Sequence, residues 1–235
     1  MGHIYEYPGA DDAETYEFEN LAADPECLIE REMERHAPFR GSIMLDIGAG
    51  SGFHALTFAQ QAAHVYAVEP APGMLAQFRS RFTAHPRANV SLLAANAERI
   101  PLIDDSIDIA HARFAYFFGS GNCNPGIVEA KRLLKPGGHF FIIDNYLCRG
   151  DFAGFLQMAY GQDACLQQQN DEFYRSRGFE ASIIDSCWRT SSREVLRRII
   201  AMEFPQTCVD PIMQQIDGTE ISYSYSVYHY EKPQS

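Results

Sequence analysis

No two of the six cysteines (Cys27, Cys123, Cys148, Cys165, Cys187, Cys208) lie closer than 17 residues, and no CxxC pair occurs. Such spacing signals neither a zinc site nor a disulfide framework, so the thiols read as reduced and mainly structural. Long apolar runs are missing as well. No stretch reaches the roughly 18 residues that span a bilayer. The start, Met-Gly-His-Ile-Tyr-Glu, has neither a basic region nor an apolar signal core, so the expected compartment is the cytoplasm. Basic residues are few: 19 Lys plus Arg stand against 31 Asp plus Glu, a net charge of -12. Phosphate backbones and anionic membranes call for a basic face, so neither nucleic acid nor membrane is expected as a partner. There is no internal repeat and no low-complexity tract. What remains is a chain of 235 residues, 46% hydrophobic, able to bury the core of one globular domain.

The acidic excess is concentrated at one end. Residues 1–35 carry eleven acids against Arg31 and Arg35, a charge of -9, which leaves -3 for residues 36–235. Tyr5, Tyr7, Tyr16 and Phe18 lie among these acids. Residues 1–40 can therefore form an aromatic lid that closes over a site while its carboxylates stay solvated, or a mobile acidic tail.

From residue 43 onward, short runs rich in Ile, Val and Phe alternate with segments of helical period, the mark of a parallel sheet with crossover helices. Strands are expected at 43–48, 64–69, 90–95, 107–112, 138–144, 179–188 and 220–230, and helices at 52–61, 72–84, 125–135, 151–176 and 191–203. Lys135-Pro136-Gly137-Gly138 ends one helix in a turn. The last strand, EISYSYSVYHY, alternates polar and aromatic residues and suits an edge or a half-buried antiparallel position.

Leu45-Asp46-Ile47-Gly48-Ala49-Gly50-Ser51-Gly52 joins the first strand to the first helix. Its glycines permit a tight turn and let a ligand approach backbone N–H groups near a helix N-terminus. Glu69 ends the second strand, 19 residues after Gly50, where a carboxylate can accept hydrogen bonds from two ribose hydroxyls. Together these point to an adenosine-containing ligand. The dinucleotide fingerprint needs a glycine three places beyond Gly50, but Phe53 stands there, which makes NAD and FAD secondary choices.

In these motifs the sequence resembles the class I S-adenosylmethionine-dependent methyltransferases of the small-molecule group. The resemblance rests on Leu45 to Gly52, Val68-Glu69-Pro70, Ala95-Asn96-Ala97-Glu98-Arg99-Ile100-Pro101-Leu102 and Leu134-Lys135-Pro136-Gly137-Gly138, in order over about residues 43–145. It implies a Rossmann-like three-layer α/β sandwich, with a mainly parallel seven-stranded sheet and an antiparallel last strand. This domain would fill residues 41–235, with substrate-side insertions around 146–176 and 203–219. By the same resemblance S-adenosyl-L-methionine would be the cofactor. Asp46 with Gly48, Ala49, Gly50 and Gly52 would hold its methionine end, Glu69 the ribose, and Asn96 with the Ala97 backbone the adenine edge; Pro70 and Arg113 are further cofactor candidates. Asn96 replaces the family's usual Asp but keeps a carbonyl acceptor for the adenine amino group.

Methyl transfer from a sulfonium is an in-line displacement, so the protein mainly aligns the acceptor and excludes water. A base is needed only for an acceptor that arrives protonated. The acceptor would be a small organic molecule with an O, N, S or C nucleophile. Arg113 and Tyr116, after strand four, are candidates for catalysis, against a structural salt bridge and a core aromatic. His111 reads either as a general base or as a hydrogen-bonded structural histidine. Tyr5, Tyr7, Tyr16, Tyr116 and Asn145 are the substrate-side candidates. Catechol-type metal binding at Asp144-Asn145 also needs an Asp after strand four; Ala112-Arg113-Phe114 stands there, so no metal is expected. Two rivals remain: a catalytically silent cofactor-binding module acting through partners, and an NAD-dependent oxidoreductase.

Overall fold

The computed structural model describes residues 11–234. Seven strands form one sheet: β1 Ile43–Ile47, β2 His64–Val68, β3 Val90–Leu93, β4 Ile107–Arg113, β5 Leu134–Asn145, β6 Glu180–Arg189 and β7 Glu220–Glu231. Their order is β3-β2-β1-β4-β5-β7-β6. Neighbours run parallel from β3 to β5, and β7 alone is antiparallel to its neighbours β5 and β6. The expected mainly parallel sheet with an antiparallel last strand is present. Strand order reverses between β1 and β4, and in such sheets the crevice for a ligand opens at the carboxyl ends beside that switch point.

The helices are α1 Ala13–Ala22, α2 Leu28–His36, α3 Phe53–Phe58, α4 Pro72–Ala84, α5 Asn124–Leu133, α6 Asp151–Tyr160, α7 Ala164–Arg175, α8 Arg193–Glu203 and α9 Gln206–Gln214. They cover both faces of the sheet. On one side Ile29 and Met33 of α2, Phe58 of α3 and Leu196, Ile199 and Ile200 of α8 pack in one cluster with Met44, Val65, Ile109, Phe141, Ile143 and Tyr225. On the other, Ile127 and Leu133 of α5 and Tyr174 of α7 meet Leu45, Ala110, Phe140, Ile142 and Tyr228. Each large side chain so buried contributes about 1.5–3 kcal/mol.

Several elements depart from the sequence expectation. The single helix expected over 151–176 is two, because Gly161 takes a left-handed C-cap (φ 68) and Asp163 caps α7 by accepting from the N–H groups of Cys165 and Leu166. Residues 13–36, expected only as part of a lid, hold α1 and α2, and α9 forms inside the 203–219 insertion. β5 starts at Leu134 and takes in the expected Pro-Gly-Gly turn. Gly138 lies in that stretch among three carbonyl oxygens, and a Cβ there would stand 2.9 Å from Lys135 O and 3.1 Å from Ile107 O. β7 is no edge, since it lies between β5 and β6. Ser224 and Ser226 on it stay buried by hydrogen bonding: Ser224 Oγ donates to Asp185 Oδ1 (2.7 Å), and Ser226 Oγ accepts from Gln167 Nε2 (3.2 Å).

At the amino edge of the sheet, the ring nitrogens of His139 and His229 lie 2.9 Å apart, the ring of His36 of α2 lies tilted 4.1 Å from that of His229, and Phe141 stacks on His229 at 4.7 Å. Burial, with His36 and His139 beside it, pushes the His229 imidazole down to about 4. The unfolded chain then binds more protons than the folded one below the ordinary histidine value, so stability is complete above about pH 6.5 and is lost as pH falls towards 4. His229→Phe keeps the stacking and removes this titration. The variant's Tm should fall less than that of the parent between about pH 7.5 and 5, as read by thermal melts; parallel profiles would refute the coupling.

Candidate active site

The loop after β1 turns back on the end of β2. Gly48 N–H and Ala49 N–H donate to Val68 O (2.8 and 3.0 Å), and Gly52 N–H donates to Ala49 O (2.8 Å). Glu69 braces the loop from below: Oε2 accepts from Gly50 N–H (2.9 Å) and Oε1 from Ala71 N–H (2.7 Å). Burial pushes this carboxyl up, partly offset by the two N–H groups. Gly50 adopts φ 53 beneath the Tyr16 hydroxyl, and a Cβ on it would stand 2.7 Å from that oxygen. Tyr16 therefore sits on the glycine loop; Tyr5 and Tyr7 lie outside the described residues.

Asp46 closes β1, only 3% exposed. Its Oδ1 pairs with His111 Nδ1 at 2.9 Å, whereas Oδ2 has no hydrogen-bond partner among the described residues. A buried carboxylate oxygen left in this state is costly unless a donor reaches it. His111 is equally enclosed, at 1% exposed, and Nδ1 is committed to Asp46. Next to it, His54 of α3 lies 5.6 Å from the His111 ring, and burial with Arg113 nearby pushes its imidazole well below its ordinary value.

Arg113 ends β4. Its Nη1 donates to Glu30 Oε1 of α2 (3.3 Å), and its guanidinium stands 5.4 Å from the Tyr225 ring. Glu19 of α1 feels the same guanidinium, but burial dominates and pushes its carboxyl up to about 8. Asn145, at the end of β5, accepts from the Tyr223 hydroxyl. Tyr116 turns elsewhere. Its hydroxyl is shared between Glu98 Oε1 and Asn122 O, both at 3.0 Å, and its ring fills the space over Gly126 of α5. Burial and Glu98 push that phenol up to about 12. Asn96 and Ala97 lie on the loop after β3, closed by a bridge between Asn96 and Arg99; Pro70 follows Glu69 on the way into α4.

The acids of the amino-terminal segment meet cations of the sheet domain. Besides Glu30 with Arg113, Glu17 pairs with Arg81, whose Nε also donates to Ser51 O of the glycine loop (2.9 Å). Glu14 reaches Arg198 at 2.8 Å and Glu26 reaches Arg189 at 2.7 Å. Sequence reasoning missed Glu17, Glu19, Glu30, Arg81, Trp188, Tyr223 and Tyr225. The one available signal was the placing of Tyr16 and Glu19 three residues apart, on one helix face.

Residues 45–142 match the family described as a methyltransferase domain. A relative in Bacillus subtilis, the uncharacterized methyltransferase YcgJ, is 32% identical over 60% of this chain and 55% of its own. Its crystal structure superposes with a TM-score of 0.62, at 19% identity, over 87% of this chain and 98% of that one. A demethylmenaquinone methyltransferase of Clavibacter sepedonicus is 35% identical over 46% of this chain and 43% of its own. A tRNA U34 carboxymethyltransferase of Hahella chejuensis is 29% identical over 49% and 35%. The chain spans about half the length of the first two of these curated relatives. The matched segment begins in β1 and reaches into β5, so it takes in the glycine loop and the strands β1 to β5. Residues 45–142 are thus similar in sequence to a methyltransferase domain, and the chain shares the fold of the YcgJ structure.

Proposed function

We propose that this chain transfers the methyl group of S-adenosylmethionine to a small organic acceptor held between the carboxyl edge of the sheet and α1–α2. The observation that carries this reading is Asp46 Oδ2, buried without a partner beside a glycine loop that Glu69 holds in place. When bound, the cofactor supplies an electrophilic methyl group on sulfur. Asp46 Oδ2 is suited to an ammonium hydrogen. Glu69 retains one lone pair on each oxygen for ribose hydroxyls. Gly48, Ala49, Gly50, Gly52 and Pro70 shape the wall, and Asn96 with the Ala97 backbone meets the adenine edge.

His111, spent on Asp46 and shut from solvent, orients that carboxylate rather than taking a proton from an acceptor. Tyr116, tied to Glu98, anchors its loop. Arg113, Tyr16 and Asn145 are left to face the acceptor. A small acceptor is supported by the pairing of Arg81, Arg113, Arg189 and Arg198 with acids of the amino-terminal segment, which leaves these cations committed rather than offered to a phosphate backbone. No helix among the described residues is long and apolar enough to cross a membrane.

Of the amino-terminal segment, the described residues 11–40 serve as the lid, with Tyr16 over the loop and the pairing of Glu17 with Arg81 as its latch, keeping water from the reacting groups. Calorimetry should show S-adenosylmethionine and S-adenosylhomocysteine binding in the micromolar range and NAD not binding. In stopped flow, Glu17→Gln should release S-adenosylhomocysteine several-fold faster. NAD binding in their place would overturn the function, and an unchanged release rate would overturn the lid.

A further inference from the structure

The sheet ends in two unequal edges. On one side β3 has four residues; on the other β6 runs for ten, Glu180–Arg189, and pairs with β7 without a register shift. A long edge is usually blunted by Pro, Lys, a bulge or a covering segment. Residues 180–186 hold no Pro, no Lys and no bulge. Among the described residues only the far end of the strand is covered: Ala23 forms a bridge with Trp188, and Asp24 N–H donates to Cys187 O (3.1 Å). That bond fixes the phase of the edge. In an antiparallel ladder alternate residues turn both backbone groups to the same side. With Cys187 O pointing outward, Ala181, Ile183 and Asp185 aim N–H and C=O away from β7, while Ser182, Ile184 and Ser186 bond to it. No described group bonds to these six outward N–H and C=O groups.

We propose that this edge pairs with the same edge of a second copy of the chain, antiparallel about a two-fold axis at Ile183, so that the two sheets run on as one. The open groups select the register. With Ile183 against the partner's Ile183, Ala181 meets the partner's Asp185, and all six outward groups of each copy bond. A shift of two residues one way sets Cys187 against the partner's Ala181, but the Cys187 carbonyl is taken by Asp24. The opposite shift brings in Phe179, whose N–H is already given to Tyr174 O (3.1 Å). Charge permits the same register. Glu180 stands opposite the partner's Ser186 and Asp185 opposite the partner's Ala181, so no like charges face each other, and Asp185 is met by Arg149 at 2.7 Å. The two Ile183 side chains, each 43% exposed in the single chain, shield one another from water at the axis. Residues 23 and 24 stop the pairing at Cys187, and at the other end Gly178 (φ 83) turns the chain off the strand line into α7. β6 is the outermost strand, with β7, β5 and β4 between it and β1, so the pairing leaves the glycine loop untouched and does not depend on methyl transfer.

One short strand a side is small beside the roughly 20–30 residues of a standard interface, so the dimer is a weak one. Sedimentation velocity of the full chain between about 5 and 500 μM should show monomer passing into dimer. Hydrogen exchange read residue by residue by NMR locates the contact. The amides of Ala181, Ile183 and Asp185 should slow as concentration rises, whereas those of Ser182 and Ile184, bonded to β7 in either state, should not change. Ile183→Pro removes the central outward donor and leaves the β7 ladder whole, and Ile183→Lys sets two cations at the axis. Both variants should stay monomeric at the highest concentration while keeping the parent's melting transition. If the proline variant does not fold, the lysine variant decides. A monomer at every concentration, a dimer that survives Ile183→Lys, or exchange of the three amides that does not vary with concentration would each overturn the pairing.

Discussion

Glu69→Ala should weaken binding of S-adenosylmethionine by about 1–3 kcal/mol, roughly five- to 150-fold, and lower the Tm in its absence. Two losses combine. The ribose hydroxyls lose a charge-assisted acceptor, and the N–H groups of Gly50 and Ala71 lose the oxygens that hold them at 2.9 and 2.7 Å. The second loss acts before any ligand arrives, because Gly50 keeps φ 53 while its N–H is anchored. Glu69→Gln separates the two: its one carbonyl oxygen can satisfy only one of the N–H groups, and its amide donor faces the other. Calorimetry with both variants should therefore rank affinity as Glu, then Gln, then Ala. Unchanged affinity in Glu69→Ala would remove Glu69 from the site.

Arg113→Leu is expected to cost about 3–5 kcal/mol in folding stability, the usual result of removing one partner of a buried pair. Glu30, whose side chain is 15% exposed, would lose its cation, and Glu19 the one charge that draws its carboxyl down. The pH dependence has a definite sign. In the folded chain the Glu19 carboxyl already stands at about 8, above its unfolded value, so the folded state holds this proton more firmly and stability on this account falls as pH rises through 8. Without Arg113 that value climbs further, so the loss should be larger at about pH 8.5 than at about pH 6. Urea unfolding at the two pH values measures it; an equal loss at both would mean that Glu19 and Arg113 are not coupled.

The parts legible in the sequence were those written in short stretches of chain. Gly48, Gly50 and Gly52 at a strand end, Glu69 closing the next strand, and the alternation of apolar runs with helical segments gave the sheet and its ligand edge, because backbone freedom and side-chain period are local properties. The break at Gly161 to Asp163 was equally local and went unread: the helical period continues across it, and it is the left-handed cap and the Asp163 side chain that end one helix and start the next. Tyr116 and Arg113 lie three residues apart after one strand, and nothing in that spacing told which would face the site. Left-handed turns at Phe114 (φ 50) and Tyr116 (φ 55) carry the chain over, leaving Arg113 with Tyr225 and Tyr116 with Glu98.

The scarcity of basic residues had a similar fate. From the sequence, eleven acids in the first 35 residues read as a solvated lid or tail. Folding sets five of them within reach of Arg81, Arg113, Arg189 and Arg198, with Glu14 and Arg198 184 positions apart in sequence. By itself the sequence determined a parallel α/β sheet, a glycine loop and an acid at the next strand's end, since these follow from residues a few positions apart. Only the tertiary structure decided which cations answer the acidic segment and which aromatic rings face Arg113, because Coulomb attraction and packing depend on distance in space and the sequence lists only order along the chain.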